Sequence, residues 1–394
     1  MLHRYAFSNF QSFKEHTVVS LQQDARVPAT GWSRTAASGE RLSTVMAVVG
    51  ANASGKTSLL KPLLFMQWFI SQSFALGHDA ELPFVQHRDA PDTPSEFEVE
   101  VDFEGQLWRY ALRTTRKQVL HESLYVKRER MNYVFVRDWK AATQSYDIKQ
   151  KDFGFTPSEA RKVRPNASLI ATAAQYGVPL AQRIAAVDIQ SNLSQFGRVP
   201  LNVDLVIGAA GYFAVDEAQR KQMIKLLAGW DMGLHDVLLR EVESVKPDGS
   251  KAKHWFPFGM HKSRSDTPFA LPFIDESSGT QSAFVLLARL LPALQSGGLA
   301  VIDEFENDLH PHMLEPILDL FANPATNPHN AQLLFTCHAI EVLNVLHKSQ
   351  VTLVEKDECN ESSAWRLDSV QGIRSDDNFY AKYMAGAYGA VPQL

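Results

Sequence analysis

The eight residues from Gly50 to Thr57 constrain the fold of this chain more than any other segment. They read Gly-Ala-Asn-Ala-Ser-Gly-Lys-Thr, follow an apolar run at 43–49 and precede an apolar stretch of helical spacing at 58–74. Glycines let a backbone wrap phosphate groups, and the N–H groups at a helix start attract anions. The segment therefore predicts a P-loop between a buried strand and a helix, with Lys56 near the β- and γ-phosphates and Thr57 on Mg²⁺.

A second nucleotide motif follows the apolar run Leu299–Ile302, which ends in Asp303 and Glu304. Asp303 at the end of a buried strand can help to hold the Mg²⁺ that Thr57 binds, and Glu304 can orient or deprotonate the attacking water. The predicted ATP-binding residues of the first motif are Gly50, Asn52, Ser54, Gly55, Lys56, Thr57 and Ser58. Gln86 is the candidate for a further magnesium ligand.

The segment Glu276-Ser-Ser-Gly-Thr-Gln281 resembles the signature element of the ABC/SMC ATPase superfamily, Ser-Gly-x-Gln at a helix N-terminus. Ser278, Gly279 and Gln281 match the element, and Thr280 replaces its usual second glycine. The resemblance implies that this helix end contacts the γ-phosphate on the P-loop of a second subunit, so that the chain dimerises around two ATP molecules. It also implies that His338 is the switch histidine that senses the γ-phosphate.

The spacing of the motifs predicts how the chain is organised. Thr57 and Ser278 lie 221 residues apart, and the region between them shows no heptads, so we expect a globular insertion. Residues 96–104 alternate acidic and apolar side chains, which predicts a half-buried antiparallel strand. The predicted fold is α/β, an ABC-type P-loop NTPase head with an antiparallel β-meander and a helical insertion lobe. Four parts are expected: the N-terminal ATPase segment at 1–94, the meander at 95–140, a helical or mixed arm at 141–275 and the C-terminal ATPase segment at 276–394. The arm contains a Gly-, Lys- and Ser-rich loop at 246–253.

Several further elements resemble a family of stand-alone prokaryotic ATPases of phage defence, the AbiL, Rlo-type and PARIS AriA proteins, with OLD and RecF ATPases as more distant relatives. They are Ser8–Phe13, Pro94–Glu98, Glu276–Thr280, Ile302–Phe305, Leu309–Pro311 and the tail Tyr383–Pro392. The resemblance implies an ATPase that regulates a partner effector in abortive infection. Only 56 residues follow His338, so we expect no Toprim nuclease domain in this chain. The resemblance implies a separately encoded effector, such as a Toprim-like nuclease, as a partner.

Composition limits the class of protein. The two cysteines, Cys337 and Cys359, suit a reducing compartment, and no stretch of about 18 apolar residues is present, so we expect a cytoplasmic protein without a membrane span. The net charge of −5 excludes a uniformly basic nucleic-acid coat. This total includes a segment with a net charge of −7 at 89–104 and a segment with a net charge of +6 at 109–140. The basic segment is interpreted as a solvated sheet face, with nucleic-acid binding as the alternative.

Two other functions stay open at this point. The first is a DNA-repair ATPase like RecF or a short SMC head, and salt-sensitive DNA binding through Arg113, Arg116 and Lys117 would favour it. The second is a nucleotide-gated scaffold that hydrolyses almost no ATP.

Overall fold

A computed structural model of the protein describes residues 1–24, 27–194, 197–230, 232–245, 251–265 and 267–392. The strands in chain order are β1 (Leu2–Ser8), β2 (Thr17–Ser20), β3 (Ser33–Thr35), β4 (Arg41–Ser43), β5 (Val45–Val49), β6 (Ser95–Phe103), β7 (Gln106–Thr114), β8 (Val119–Lys127), β9 (Met131–Lys140), β10 (Ser145–Gln150), β11 (Ile189–Ser191), β12 (Leu193–Ser194), β13 (Gly197–Arg198), β14 (Asp236–Val245), β15 (Lys251–Lys262), β16 (Pro268–Pro272), β17 (Leu299–Ile302), β18 (Gln332–Thr336), β19 (Val351–Lys356) and β20 (Ser362–Arg366). The α-helices are α1 (Lys56–Gln72), α2 (Pro157–Ala160), α3 (Leu169–Gln175), α4 (Pro179–Ala185), α5 (Val203–Val215), α6 (Glu217–Gly229), α7 (Ser278–Ser296), α8 (Leu314–Ala322) and α9 (Phe379–Met384). Short 3₁₀ turns lie at Ser73–Ala75, Phe273–Asp275, Pro311–Met313, Ile340–Asn344, Lys348–Gln350 and Leu367–Ser369.

The nucleotide motifs lie on a six-stranded sheet of order β11-β17-β18-β5-β19-β20, in which only β20 runs antiparallel to its neighbour. All five residues of β5 are buried, as expected for a central strand covered on both faces. The α/β fold predicted from the sequence is confirmed. Because β5, β17 and β18 are adjacent and parallel, the residues after each of them meet at one edge of the sheet, where α/β proteins bind ligands.

A second sheet of seven antiparallel strands has the order β10-β9-β8-β7-β6-β1-β2. The meander predicted at 95–140 is confirmed as β6 to β9, and β10 extends it at Ser145–Gln150. The meander is joined to the N-terminal strands, since β6 pairs with β1 along Phe7↔Phe97 and Tyr5↔Val99. The sequence pattern of β6 did not indicate this partner.

Two apolar cores lie on opposite faces of the parallel sheet. Val45, Ala47 and Val49 of β5 belong to the core that contains α5, α6 and α7, whereas Met46 and Val48 belong to the core between α1 and the meander. Alternate residues of one strand point to opposite faces, so β5 contributes to both cores.

The insertion contains α2 to α6 and a third sheet, β14-β15-β16, with α5 against both β15 and α7. Within the predicted loop at 246–253, residues 246–250 lie outside the described residues, and residues 251–253 belong to β15. The apolar residues at 340–347 predict a helix, whereas the structure has a 3₁₀ turn at Ile340–Asn344. The four-part division of the chain stays a prediction. No helix in the described ranges is long and apolar enough to cross a bilayer.

Candidate functional site

The loop between β5 and α1 depends on two glycines. A Cβ atom at Gly50 would lie 2.2 Å from the Val354 carbonyl oxygen, and one at Gly55 would lie 2.5 Å from Ser362 Oγ. Gly55 also has a φ of 112°, a left-handed conformation that favours glycine. The loop can therefore pass this close to β19 and β20 only without side chains at these two positions.

Lys56 is buried and lies inside the loop. Its Nζ donates to the carbonyl oxygens of Gly50 and Ala51, both at 2.9 Å. Burial lowers the pKa of the Lys56 ammonium, whereas the nearby carboxylates, Asp303 first among them, act in the opposite direction. The ammonium thus lies between the loop backbone and a group of acidic side chains.

The two nucleotide motifs meet at Thr57 and Asp303. The Thr57 hydroxyl donates to Asp303, with Oγ1 2.9 Å from Oδ2 and 3.1 Å from Oδ1. Asp303 is only 2% exposed. Its Oδ1 also accepts a hydrogen bond from Thr336 Oγ1 at 2.7 Å. A hydroxyl beside a carboxylate is an oxygen donor set of the kind that Mg²⁺ prefers, so these residues fit the ion that the motifs imply.

Asn192 supports the same strand end. Its Nδ2 donates to the Asp303 carbonyl oxygen and its Oδ1 accepts from the Asp303 N–H, each at 2.8 Å. Sequence analysis did not predict Asn192 or Thr336 as site residues. Asn192 lies 111 residues before Asp303 and outside any nucleotide motif, so no local signal marks it.

Glu304 is half-buried and has a φ of 49°, an unusual conformation for a residue with a side chain. Its N–H donates to Thr336 Oγ1 at 2.7 Å. Its Oε2 lies 3.0 Å from Nε of Arg198, which belongs to β13. The carboxylate predicted to act on water is therefore held by an arginine that the sequence analysis missed.

His338 follows β18, and its side chain is exposed. The His338 N–H donates to Oε1 of Glu306, while Oε2 of Glu306 is buried and has no hydrogen-bond partner among the described residues. Burial, followed by the charge of Glu306, raises the pKa of the adjacent Cys337 thiol, so this thiol stays neutral. Glu306 thus joins the loop after β17 to the loop after β18.

The helix predicted after Glu276 is α7, which begins at Ser278. Its N-cap is Ser277, whose Oγ accepts from the Thr280 N–H at 3.1 Å. A Cβ atom at Gly279 would lie 2.8 Å from the Asp308 carbonyl oxygen. Gln281 donates to the Glu276 carbonyl at 2.9 Å. The helix start therefore packs against the loop after β17, and Ser278 remains exposed.

The other predicted ligands differ in their surroundings. Asn52 is exposed and Ser58 is half-buried. The Ser54 hydroxyl is buried and has no hydrogen-bond partner among the described residues, which suits a loop that receives a phosphate group. Gln86 donates to the Thr93 carbonyl, and within the described ranges no hydrogen bond joins it to Thr57 or Asp303. Its role as a magnesium ligand stays a prediction.

Acidic side chains of neighbouring strands and loops pair with most cations of the basic segment at 109–140. Five of its cations pair with acids: Arg113 with Glu96, Arg116 and Lys117 with Glu81, Arg128 with Asp152 and Arg137 with Glu122. A sixth, Arg109, lies over the Tyr125 ring. This pairing favours the interpretation of a mixed-charge sheet face over that of a nucleic-acid ribbon.

Comparison with known proteins adds a family to this geometry. A protein-family model described as "AAA domain, putative AbiEii toxin, Type IV TA system" matches residues 45–171 and 199–344. These ranges cover more than half of the chain and contain the P-loop, the start of α7 and the loop after β17. The chain belongs to this AAA-domain family. Membership confirms the prediction of a P-loop ATPase domain and implies a nucleotide, typically bound with Mg²⁺.

The remaining comparisons assign no narrower family to this AAA domain. The solved SMC head domain from Thermotoga maritima aligns with a TM-score of 0.45 and 12% identity, covering 93% of this chain and 98% of that chain. No curated protein matches the chain. The narrower relation to the AbiL, Rlo-type and PARIS proteins stays a prediction.

Proposed function

We propose that this AAA domain binds ATP with Mg²⁺ and hydrolyses the ATP to ADP and phosphate. The contact between Thr57 and Asp303 carries the proposal, because it joins the first turn of α1 to the end of β17 at 2.9 Å. Thr57 and Asp303 would hold the Mg²⁺, which neutralises phosphate charge when it is bound. The loop N–H groups and the N-terminus of α1 supply positive potential for the phosphates.

The remaining roles follow from position. Lys56 brings a positive charge into the loop and balances the charge on the β- and γ-phosphates. Glu304 presents a carboxylate one residue beyond Asp303, where it can orient or deprotonate the attacking water. His338 lies on the neighbouring strand end and is proposed, from the family resemblance, to respond to the γ-phosphate.

Two variants test the proposal. Glu304→Gln keeps the size of the side chain but removes the base, so we expect ATP affinity to persist while steady-state phosphate release falls by about 100-fold or more. Lys56→Ala should lose affinity in a titration with a fluorescent ATP analogue. Arg183→Gln removes a surface ion pair with Glu104 outside the site and serves as the control. Phosphate release by Glu304→Gln at the parent rate would refute the assignment of the base. Release close to background in the parent itself would favour a nucleotide-gated scaffold.

We also propose that ATP joins two copies of the chain through the start of α7. Ser278 is exposed there, and the N–H groups of a 19-residue helix begin at this surface, which suits contact with the phosphate of a partner subunit. In sedimentation velocity, Glu304→Gln with ATP should form dimers, whereas ADP should leave monomers. Ser278→Arg should retain ATP binding and lose the dimer. A monomer in Glu304→Gln with saturating ATP contradicts this part of the proposal.

The biological role is proposed from resemblance. The Glu276–Thr280 element and the Tyr383–Pro392 tail resemble phage-defence ATPases, and the family description names a putative AbiEii toxin. We propose that the chain controls a separately encoded effector, such as a Toprim-like nuclease, in abortive infection. Cells that express the chain with its neighbouring gene should reduce phage plaque counts, and Lys56→Ala should abolish the reduction. Equal plaque counts with and without the intact gene pair would refute the role.

A further inference from the structure

Arg198 contacts the proposed base although it belongs to no nucleotide motif. Its Nε lies 3.0 Å from Oε2 of Glu304, and the two side chains are 26% and 39% exposed. The two groups form a partly exposed ion pair. One oxygen of Glu304 is therefore already engaged, and the negative charge of the carboxylate is partly balanced.

The backbone next to Arg198 is connected to Asp303 through hydrogen bonds of Asn192. The Val199 N–H donates to the Asn192 carbonyl at 2.8 Å and closes the hairpin formed by β12 and β13. The Asn192 side chain donates one hydrogen bond to the backbone of Asp303 and accepts another from it. The position of Arg198 relative to Glu304 is thus set through Asn192 and the end of β17.

We infer that Arg198 is a positioning residue that restrains Glu304 and keeps ATP hydrolysis slow. The inference rests on the proposed role of Glu304 as the base. A carboxylate held in an ion pair is less free to turn toward a water molecule. When this ion pair opens, Glu304 can reach the water, so the pair lowers the rate of the chemical step and leaves ATP binding unchanged.

The segment after Arg198 connects this restraint to the insertion. Residues 199–202 lead directly into α5, which packs against α7 and β15. A cavity of about 60 Å³ lies beside the segment and is lined by Val199, Leu201, Arg198 and Glu304, among others. A shift of α5 therefore acts on the residues next to Arg198. The proposed effector, by moving the insertion, would release Glu304.

The test separates the rate of hydrolysis from the binding of ATP. Arg198→Gln should raise kcat about two- to fivefold, the range expected when a partly exposed ion pair no longer has to open, with KM for ATP unchanged. Arg198→Lys restores a positive charge and should fall between the parent and Arg198→Gln. Arg183→Gln, which removes a surface ion pair with Glu104, is the matched control and should leave kcat unchanged. A melting curve of each variant reports whether it is folded.

The double variant of Arg198→Gln and Glu304→Gln tests the restraint by Arg198 separately from the role of Glu304 as the base. The inference predicts that the gain in kcat disappears when Glu304 is replaced. If Glu304→Gln alone stalls hydrolysis but Arg198→Gln leaves kcat unchanged or lowers it, the restraint is refuted and the proposed base stands. If Glu304→Gln hydrolyses ATP at the parent rate, the proposed base is wrong and the restraint is refuted with it.

Discussion

Thr336→Val would test whether the buried hydroxyl at the end of β18 organises the site. The Thr336 hydroxyl donates to Asp303 Oδ1 and accepts from the Glu304 N–H, both at 2.7 Å. Its side chain is fully buried, so no water can replace it without rearrangement. Valine has nearly the same shape, and the substitution therefore removes two hydrogen bonds while leaving little empty space.

The magnitude follows from the two bonds. A hydrogen bond to an ionised carboxylate contributes about 1.5–3 kcal/mol, and an unpaired buried N–H costs about 1–3 kcal/mol. Because the two effects share one hydroxyl, we expect the free energy of unfolding to fall by about 2–4 kcal/mol. For a chain of 394 residues this corresponds to a Tm lower by about 2–5 °C. Loss of orientation at Asp303 and Glu304 should also lower kcat by about tenfold, the equivalent of about 1.4 kcal/mol.

Thr352→Val is the matched control. Thr352 is also buried in the parallel sheet, but among the described residues its hydroxyl donates only to the Met46 sulfur, at 3.4 Å, which is a weak acceptor. Scanning calorimetry and steady-state phosphate release would be measured on both variants. A Thr336→Val protein that melts and hydrolyses ATP like Thr352→Val would show that the hydroxyl has no organising role.

Three further predictions concern the loop, the helix start and the meander. Gly50→Ala places a Cβ atom 2.2 Å from the Val354 carbonyl oxygen and should abolish binding of a fluorescent ATP analogue, so retained affinity would contradict the close packing. Ser277→Ala removes the N-cap of α7 and should cost about 0.5–2 kcal/mol in urea unfolding, whereas Ser277→Asp should keep most of the stability. Glu122→Gln leaves the Arg137 guanidinium, fully buried like its partner, beside a neutral amide and should cost about 3–5 kcal/mol. Because Glu122 also accepts from Ser168 Oγ and the Leu169 N–H, replacing both residues of the pair with apolar ones should recover only part of this loss. A Glu122→Gln protein as stable as the parent would contradict this prediction.

The elements that carry the chemistry could be predicted from local sequence patterns. A P-loop needs glycines, a lysine and a hydroxyl residue within eight positions, and all of these constraints are local. Buried parallel strands are continuous apolar runs, so β5 and β17 could be predicted before any contact was known. Thr57 and Asp303 were expected to hold one Mg²⁺, and their side chains lie 2.9 Å apart.

The residues that surround that contact depend on the tertiary structure. Three of them lie far from the P-loop in sequence and belong to no nucleotide motif: Asn192, Arg198 and Thr336. They reach the site because β17 pairs with β11 on one side and with β18 on the other. Sheet pairing is set by the packing of whole faces, which no short pattern encodes. For the same reason, the alternation of acidic and apolar residues predicted the strand β6 but not its pairing with β1. The positive charges of the basic segment could likewise be counted in the sequence. Their ion-pair partners could not be predicted, because several of these acids belong to other strands and loops.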